Sequence, residues 1–187
     1  MSRVTKAIIL AAGKSTRYGK NKLVDPILGK STVEYCIEFC IENGITDCYV
    51  TISKADFFFK NNTKLSHPII EKLSQYKPKI NIFYEFQKDD EYGPGAAIKV
   101  WSGIFNEAFL CLFGDNYYQG NIGLEYHDPE STVVNLDSIK MSNRNEYEIT
   151  HLINSMDNLK FEELNICWYD LTYENDKVVI EELIKTC

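Results

Sequence analysis

The clearest indication of the fold of this 187-residue chain is the stretch Ala7-Ile-Ile-Leu-Ala-Ala-Gly-Lys-Ser-Thr-Arg-Tyr-Gly19. Its first six residues form a continuous apolar run, which is typical of a parallel strand buried on both faces. The run leads into a glycine-containing loop, and a loop in this position exposes backbone N–H groups that bind phosphate. The stretch therefore predicts a buried strand followed by an anion-binding loop.

Strand-like and helix-like segments alternate through residue 115. The predicted elements, in chain order, are a strand at Ala7–Ala12, a helix at Ser31–Asn43, a strand at Cys48–Ser53, a helix at Pro68–Tyr76, a strand at Ile80–Phe86, a helix at Pro94–Phe105 and a strand at Ala108–Phe113. This alternation implies a parallel sheet with helices on both faces. We therefore predict an α/β fold, a Rossmann-like arrangement of three αβα layers around a mostly parallel sheet.

The pattern is weaker after residue 115. We predict strands at Ser131–Leu136 and Asn165–Leu171, and helices at Glu146–Met156 and Glu174–Lys185. No repeat, low-complexity tract or change in composition marks a second domain, and the length suits one domain. The whole chain, residues 1–187, is therefore expected to form a single domain.

Composition and charge narrow the class of protein. The net charge is −7, but the first 24 residues carry six basic and no acidic side chains. A small positive region on an acidic body favours a small anionic ligand over a nucleic acid. No apolar run approaches the ~20 residues of a membrane-spanning helix. Six cysteines without a C-x-x-C pair, several of them in apolar runs, favour free thiols and a cytoplasmic location.

Two familiar phosphate-binding motifs do not fit the glycine loop (residues 12–19). A P-loop would need glycine where Ile8 stands, and the dinucleotide fingerprint is interrupted by Lys14 and Ser15. What remains is A-A-G-x-S-T-R-x-G followed by Lys22. Its arginine and lysine, Arg17 and Lys22, are placed to reach a triphosphate that lies over the loop.

This loop resembles that of the sugar-nucleotide pyrophosphorylases, a family that couples a nucleoside triphosphate to a sugar 1-phosphate. Four further segments resemble family motifs in the same order: Gln87 with Gly93-Pro-Gly-Ala-Ala97, Phe113-Gly-Asp-Asn116, Arg144-Asn-Glu-Tyr-Glu-Ile-Thr150 and Trp168-Tyr-Asp170. Each segment is weak evidence alone, whereas their order is fairly specific. The resemblance is dense over residues 7–120 and patchy over 144–186.

The resemblance implies a Mg²⁺-dependent nucleotidyltransferase with pyrophosphate as the leaving group. It divides the chain into a nucleotide-binding part, 1–120, and a part for the acceptor and the second metal ligand, 121–187. The implied roles are catalysis by Arg17 and Lys22; nucleotide binding by Leu10, Ala11, Ala12, Gly13, Lys14, Ser15, Gln87, Gly93, Gly95 and Ala96; acceptor binding by Asn116, Tyr117 and Glu146; and metal binding by Asp115 and Asp170. A pyrimidine nucleotide is favoured, and the oligomeric state stays open.

Three departures from the family pattern leave the acceptor open. Only 28 residues, 116–143, separate the aspartate motif from Arg144, and the family's E-K-P motif is missing. His151 and Leu171 replace an aspartate and a glycine, and Lys22 follows Asn21 where the family usually has proline. A cytidylyltransferase acting on a small non-sugar phosphate and a non-catalytic nucleotide-binding subunit are the alternatives.

The expected position of the second metal ligand, Asp170, depends on where its strand lies. If Asn165–Leu171 returns to the main sheet, Asp170 can face Asp115 at the sheet edge. The two carboxylates are then expected within roughly 4–7 Å, a span that one Mg²⁺ can bridge directly or through water. Trp168 should lie on the same side of the strand as Asp170.

Overall fold

The structure is a computed structural model that describes residues 2–56, 58–60, 64–105, 107–123, 125–126, 142, 147–154 and 166–186. Its strands are β1 (Ser2–Arg3), β2 (Lys6–Ala11), β3 (Asp47–Ile52), β4 (Phe58–Lys60), β5 (Lys64–Ser66), β6 (Asn81–Phe86), β7 (Leu110–Phe113), β8 (Asn116–Gln119), β9 (Glu125–Tyr126) and β10 (Cys167–Asp170). The α-helices are α1 (Thr32–Glu42), α2 (Pro68–Leu73), α3 (Pro94–Lys99), α4 (Ile149–Asn154) and α5 (Asp176–Thr186), and short 3-10 turns occupy Lys54–Asp56 and Ser74–Tyr76.

A four-stranded parallel sheet of order β6-β3-β2-β7 forms the centre. Alternate residues of β2 face opposite layers, as the two-residue period of a strand requires. Ala7, Ile9 and Ala11 pack with α1 and α2, whereas Ile8 and Leu10 pack with α3. The predicted α/β fold with three layers is therefore confirmed.

Helix α1 shows how local sequence sets an element boundary. The Ser31 N–H and hydroxyl both donate to Glu34 Oε2, at 2.8 and 2.7 Å. Glu34 thereby satisfies a donor that precedes the first helical turn, and its charge lies at the positive end of the helix. Asn43 follows the last turn, so the helix ends where the sequence predicts.

Helix α3 is shorter than predicted, because it ends at Lys99 instead of continuing to Phe105. Beyond it, the N–H groups of Trp101, Ser102 and Ile104 each bond to a carbonyl three residues earlier. Gly103 then takes a φ of +80°, which a helix does not accommodate. Tightened turns and this glycine thus end the helix early.

The strand predicted at Asn165–Leu171 is present as β10, but the condition that it returns to the main sheet is not met. Strand β10 pairs antiparallel with β8 in a separate two-stranded ladder, with Asp170 opposite Asn116. Helix α4 begins at Ile149, three residues after the predicted start, and α5 confirms the C-terminal helix. The predicted strand at Ser131–Leu136 lies outside the described residues.

The cysteines differ in part from the expectation of free thiols. Cys36, Cys40, Cys48 and Cys111 are free, whereas Cys167 is disulfide-bonded.

Within the described residues, no helix combines the length and apolar content that crossing a membrane requires.

Candidate active site

A cavity of about 410 Å³ opens beyond the carboxyl ends of β2 and β7. This is the edge at which open α/β sheets bind ligands. Its walls come from three parts of the chain: the glycine loop, the segment from Gln87 to Ala97, and the residues that flank β8 and β10. The lining residues are Leu10, Ala12, Gly13, Lys14, Ser15, Thr16, Arg17, Tyr18, Lys22, Leu23, Gln87, Tyr92, Gly93, Pro94, Ala97, Phe113, Asp115, Asp170 and Thr172.

Ser15 organises the glycine loop. Its carbonyl oxygen accepts hydrogen bonds from the N–H groups of Tyr18 and Gly19, at 3.1 and 3.2 Å. Its hydroxyl oxygen accepts from the Lys22 N–H at 3.3 Å. Ser15 holds a φ of +51°, a left-handed conformation that costs L-residues energy. Ser15 thus closes the loop into a turn with two groups, its carbonyl and its hydroxyl.

The two predicted catalytic cations differ in their surroundings. The Arg17 side chain is exposed, and no ion pair or hydrogen bond ties it to another described residue. The Lys22 ammonium lies 2.5 Å from Asp115 Oδ2 and donates to the Leu171 carbonyl at 2.7 Å. Arg17 is therefore available to an incoming anion, while Lys22 neutralises Asp115 and links the glycine loop to the residue after β10.

Asp25 is a second link between the glycine loop and the C-terminal part. Its Oδ2 atom accepts from Tyr18 at 2.7 Å and lies 2.5 Å from Lys177 and 3.1 Å from Lys20. Burial opposes ionisation of Asp25, but donors from Lys177, Tyr18 and Lys20 outweigh it and lower its pKa. Burial and the Asp25 carboxylate together raise the pKa of Tyr18. Asp25 is therefore a charged anchor that holds Tyr18 at the cavity wall.

The opposite wall is built around a short turn. Gln87 Nε2 donates to the Glu91 carbonyl at 2.7 Å, which leaves the Gln87 amide oxygen free of that bond. Gly93 takes a φ of +104°, which favours glycine. Tyr147 fixes this segment from outside, since its N–H donates to the Tyr92 carbonyl and its carbonyl accepts from Gly95 N–H, both at 2.6 Å.

Gly114 brings Asp115 close to the end of β2. Its N–H donates to the Leu10 carbonyl at 2.9 Å, and a Cβ atom at this position would meet that oxygen at 3.0 Å. A larger residue would push the turn away from β2. The glycine therefore lets the chain pass near enough for Asp115 to line the cavity.

Asp170 reaches the same wall through the β8–β10 ladder. The Leu171 N–H donates to the Asp115 carbonyl at 3.1 Å, and Asp170 lies opposite Asn116 in the ladder. The backbones of the two aspartates are therefore neighbours. The Thr172 hydroxyl donates to Asp170 Oδ2. We call Asp115 and Asp170 the acidic corner. The predicted spacing of their carboxylates stays a prediction.

Eleven of the predicted site residues line this cavity. They are Leu10, Ala12, Gly13, Lys14, Ser15, Arg17, Lys22, Gln87, Gly93, Asp115 and Asp170. Five others, Ala11, Gly95, Ala96, Asn116 and Tyr117, are buried, and they do not line it. Tyr117 packs instead with Leu171 and Ile180 in a core cluster, which does not support acceptor binding by its side chain. Glu146 lies outside the described residues.

The sequence predictions missed eight lining residues: Thr16, Tyr18, Leu23, Tyr92, Pro94, Ala97, Phe113 and Thr172. Most of them directly neighbour a predicted one in sequence, which is the signal that could have found them. Trp168 is 58% exposed and does not line the cavity. Its strand alternates, so Trp168 and Asp170 share a side of β10.

Comparison with known proteins agrees with this geometry. Residues 7–115 match the family described as the MobA-like NTP transferase domain. The chain is 28% identical to a UTP–glucose-1-phosphate uridylyltransferase of Staphylococcus epidermidis over 173 residues, which cover 80% of this chain and 60% of that protein. A Bacillus subtilis protein of the same name is 27% identical over 175 residues, covering 80% and 59%. The chain thus spans about three fifths of the length of these relatives.

A solved structure shows the same fold over nearly the whole chain. The inositol-1-phosphate CTP transferase from T. maritima has a TM-score of 0.74 at 14% identity, covering 98% of this chain and 96% of that chain. The family match covers more than half of the chain and contains β2, the glycine loop and Asp115. The resemblance noted in the sequence is therefore confirmed, and the chain belongs to the family of MobA-like NTP transferase domains.

Proposed function

We propose that this chain transfers a nucleoside monophosphate from a nucleoside triphosphate to a sugar 1-phosphate and releases pyrophosphate. The observation that carries the proposal is that one cavity gathers the glycine loop, Arg17, Lys22 and the acidic corner. The relatives named as UTP–glucose-1-phosphate uridylyltransferases support the same reaction class and favour a pyrimidine nucleotide.

The nucleotide would lie between the two walls of the cavity. Backbone N–H groups of the glycine loop suit the phosphates. On the other wall, the Gln87 amide has an oxygen and a second N–H available for a base edge, because one N–H is used by Glu91. Gly93 has no side chain to keep the base away from the backbone. Buried Ala11 and Ala96 would support these walls from behind.

Arg17 and Lys22 would stabilise negative charge in the transition state. Arg17 is exposed at the cavity and has the fork of donors that grips phosphate oxygens. Lys22 sits between the glycine loop and Asp115, where it would contact the phosphates as a point charge. The attacking acceptor phosphate is already ionised, so no protein base is needed, and positioning with electrostatic stabilisation supplies the rate.

The acidic corner fits Mg²⁺. This ion binds one or two carboxylates, substrate phosphates and several waters, and Asp115 and Asp170 provide two carboxylates on one wall. When bound, Mg²⁺ would neutralise charge on the phosphates as a Lewis acid. Within the described part of the chain, no group of three potential ligands could hold a metal by itself. Metal binding should therefore depend on the triphosphate.

The acceptor is the less determined half of the proposal. Glu146 is our candidate for contacting sugar hydroxyls, with Asn116 and Tyr117 shaping that end from the core. The short span between Asp115 and Arg144 keeps a second candidate open, a cytidylyltransferase for a small non-sugar phosphate. A non-catalytic nucleotide-binding role is less favoured, because both aspartates are present at the cavity.

Pyrophosphate release tests the proposal directly. The purified chain would be incubated with each of the four nucleoside triphosphates, with and without Mg²⁺, and with glucose 1-phosphate or glycerol phosphate as the acceptor. We expect Mg²⁺-dependent release that needs both a triphosphate and an acceptor. The preferred acceptor separates the two candidates. A folded protein that releases no pyrophosphate in any combination would overturn the enzymatic proposal.

A further inference from the structure

Tyr92 presents an aromatic ring at the cavity, and the proposed reaction assigns this ring no role. The residue lines the cavity and is 40% exposed, although its backbone is held firmly. The Tyr92 carbonyl accepts a 2.6 Å hydrogen bond from Tyr147 N–H, and Gly93 follows with its left-handed φ. A fixed backbone with an exposed ring is a prepared contact surface, since few degrees of freedom remain to be ordered on binding.

The Lys14 side chain lies over this ring. Its ammonium lies 4.8 Å from the Tyr92 ring centroid, so the glycine loop and the opposite wall touch across the cavity mouth. An exposed cation–π contact is a weak attraction. No ion pair among the described residues involves Lys14. A phosphate, which offers a full negative charge, therefore competes easily for the Lys14 ammonium.

We propose that Tyr92 stacks on the base of the bound nucleoside triphosphate, and that Lys14 leaves the ring to contact the phosphates. This inference rests on the proposed function and adds residue-specific roles to it. The ring lies on the wall that carries Gln87 and Gly93, the residues suited to a base edge. An aromatic face adds affinity for any base, whereas the Gln87 amide is able to discriminate among bases. Tyr92 thus supplies affinity for the base and Lys14 supplies affinity for the phosphates.

The two roles are separable with two probes. Dissociation constants for the best triphosphate of the panel, and for inorganic tripolyphosphate, would be measured by calorimetry in the presence of Mg²⁺. The variants are Tyr92→Ala, Tyr92→Phe and Lys14→Met, with Tyr173→Ala as the matched control. Tyr173 is 56% exposed and does not line the cavity. Thermal unfolding of each variant reports whether the fold is intact.

We expect Tyr92→Ala to weaken triphosphate binding about tenfold and to change tripolyphosphate binding less than twofold, because only the triphosphate has a base that loses a stacking partner. Tyr92→Phe should bind like the wild type, and Lys14→Met should weaken both probes. Less than a fivefold loss for Tyr92→Ala, or equal losses for both probes, would overturn the stacking role. Failure of the wild type to bind any triphosphate would instead overturn the proposed function.

Discussion

Two regions of the molecule meet at the cavity and are built in different ways. We call the glycine loop with Asp115 the first side, and the β8–β10 ladder with Asp170 the second side. The glycine loop and Asp115 follow β2 and β7, which pair in the central parallel sheet, and residues Ala7–Ile9 of β2 are fully buried. Asp170 instead is the last residue of β10, which pairs with β8 in a four-residue ladder where Trp168 is 58% exposed. The central sheet positions the first side, whereas the second is held by a separate buried cluster that includes Leu171 and Ile180, together with hydrogen bonds and ion pairs.

The glycine loop is connected to the second side by lysines. Lys22 reaches Asp115 and the Leu171 carbonyl, while Lys177 of α5 reaches Asp25 and the Pro26 carbonyl. Such contacts are sensitive to charge, unlike the buried apolar contacts of the sheet. The two regions, which the sheet does not join, therefore meet through the buried cluster of Tyr18 and Leu171 and through charge-sensitive ion pairs.

The largest effect is expected from Asp115→Asn. The substitution removes a candidate metal ligand and the partner of Lys22. We expect turnover to fall at least about a thousandfold, the upper end of the loss seen when one preorganised charged group is removed. Pyrophosphate release measures the loss. Asp89→Asn is the control, because that aspartate is 79% exposed. Near-normal turnover of Asp115→Asn would refute the metal assignment.

Arg17→Ala and Lys22→Ala compare a free cation with a paired one. Each should cost about 2–4 kcal/mol of transition-state stabilisation, measured as kcat/KM. Only Lys22→Ala should also lower Tm, because it breaks the contacts to Asp115 and Leu171. If both variants kept kcat/KM within about threefold, a change below 1 kcal/mol, the loop would be a plain turn.

Asp170→Asn tests whether the second side contributes to metal binding. The Mg²⁺ concentration for half-maximal turnover should rise about tenfold, since one of two carboxylates is lost while the substrate phosphates stay. Trp168 lies two residues earlier, so its fluorescence change on adding Mg²⁺ and triphosphate should weaken in this variant. The neighbouring Thr172→Val serves as a control for the hydrogen bond alone. An unchanged Mg²⁺ requirement would leave Asp115 as the only metal ligand.

Most of the first side was predictable from the sequence, whereas on the second side the strand and Asp170 were predictable but the pairing of that strand with β8 was not. Parallel strands leave continuous apolar runs, and Ala7–Ala12 and Ala108–Phe113 both show them, although only the first of these strands is largely buried. The β8–β10 ladder has four residues per strand, and its partners are about fifty residues apart, so no local period reveals the pairing. Aromatic residues were also ambiguous, because Tyr117 is buried in the core while Tyr92 faces the cavity.

The ion pairs of the basic residues near the glycine loop could not be predicted either, because most of their partners lie far away in the sequence. The absence of acids before Asp25 predicted a positive region, yet Lys22 is ion-paired with Asp115, and Lys20 is paired with Glu174 as well as with nearby Asp25. A basic residue and its partner 93 or more positions away leave no common pattern in sequence. The types of residue at the site could therefore be predicted, but not which cations stay free.

Asp25→Asn tests the anchor between the regions. Its folded-state pKa lies below the ordinary value of 3.8, so ionised Asp25 stabilises the fold above that pH and the stabilisation is lost as pH falls through the folded pKa. We expect the variant to lose about 1.5–3 kcal/mol of unfolding free energy at neutral pH, the range for hydrogen bonds to a charged group. Denaturant unfolding measures this loss.

The control for Asp25→Asn is Glu174→Gln. Glu174 is 65% exposed and pairs with Lys20 at the edge of the same cluster, so its loss should be small. The difference between wild type and Asp25→Asn should also narrow below pH 3.8, where Asp25 of the unfolded chain is mostly protonated. A difference that stays constant down to pH 2 would show that charge is not the source of the stabilisation.

The smallest effect is expected at Ser15, where two contributions oppose each other. Glycine would relieve the left-handed conformation at φ +51°, worth roughly 1–2 kcal/mol, but it would also make the unfolded chain more flexible. Both Ser15→Gly and Ser15→Ala lose the hydrogen bond to the Lys22 N–H. Alanine loses that bond without relieving the backbone, so Ser15→Ala should unfold about 2–4 °C below wild type and Ser15→Gly should stay close to it. The order of the three Tm values is the decisive measurement. If alanine were as stable as glycine, the backbone at Ser15 would not be strained, and the loop would owe its shape to the Ser15 hydrogen bonds alone.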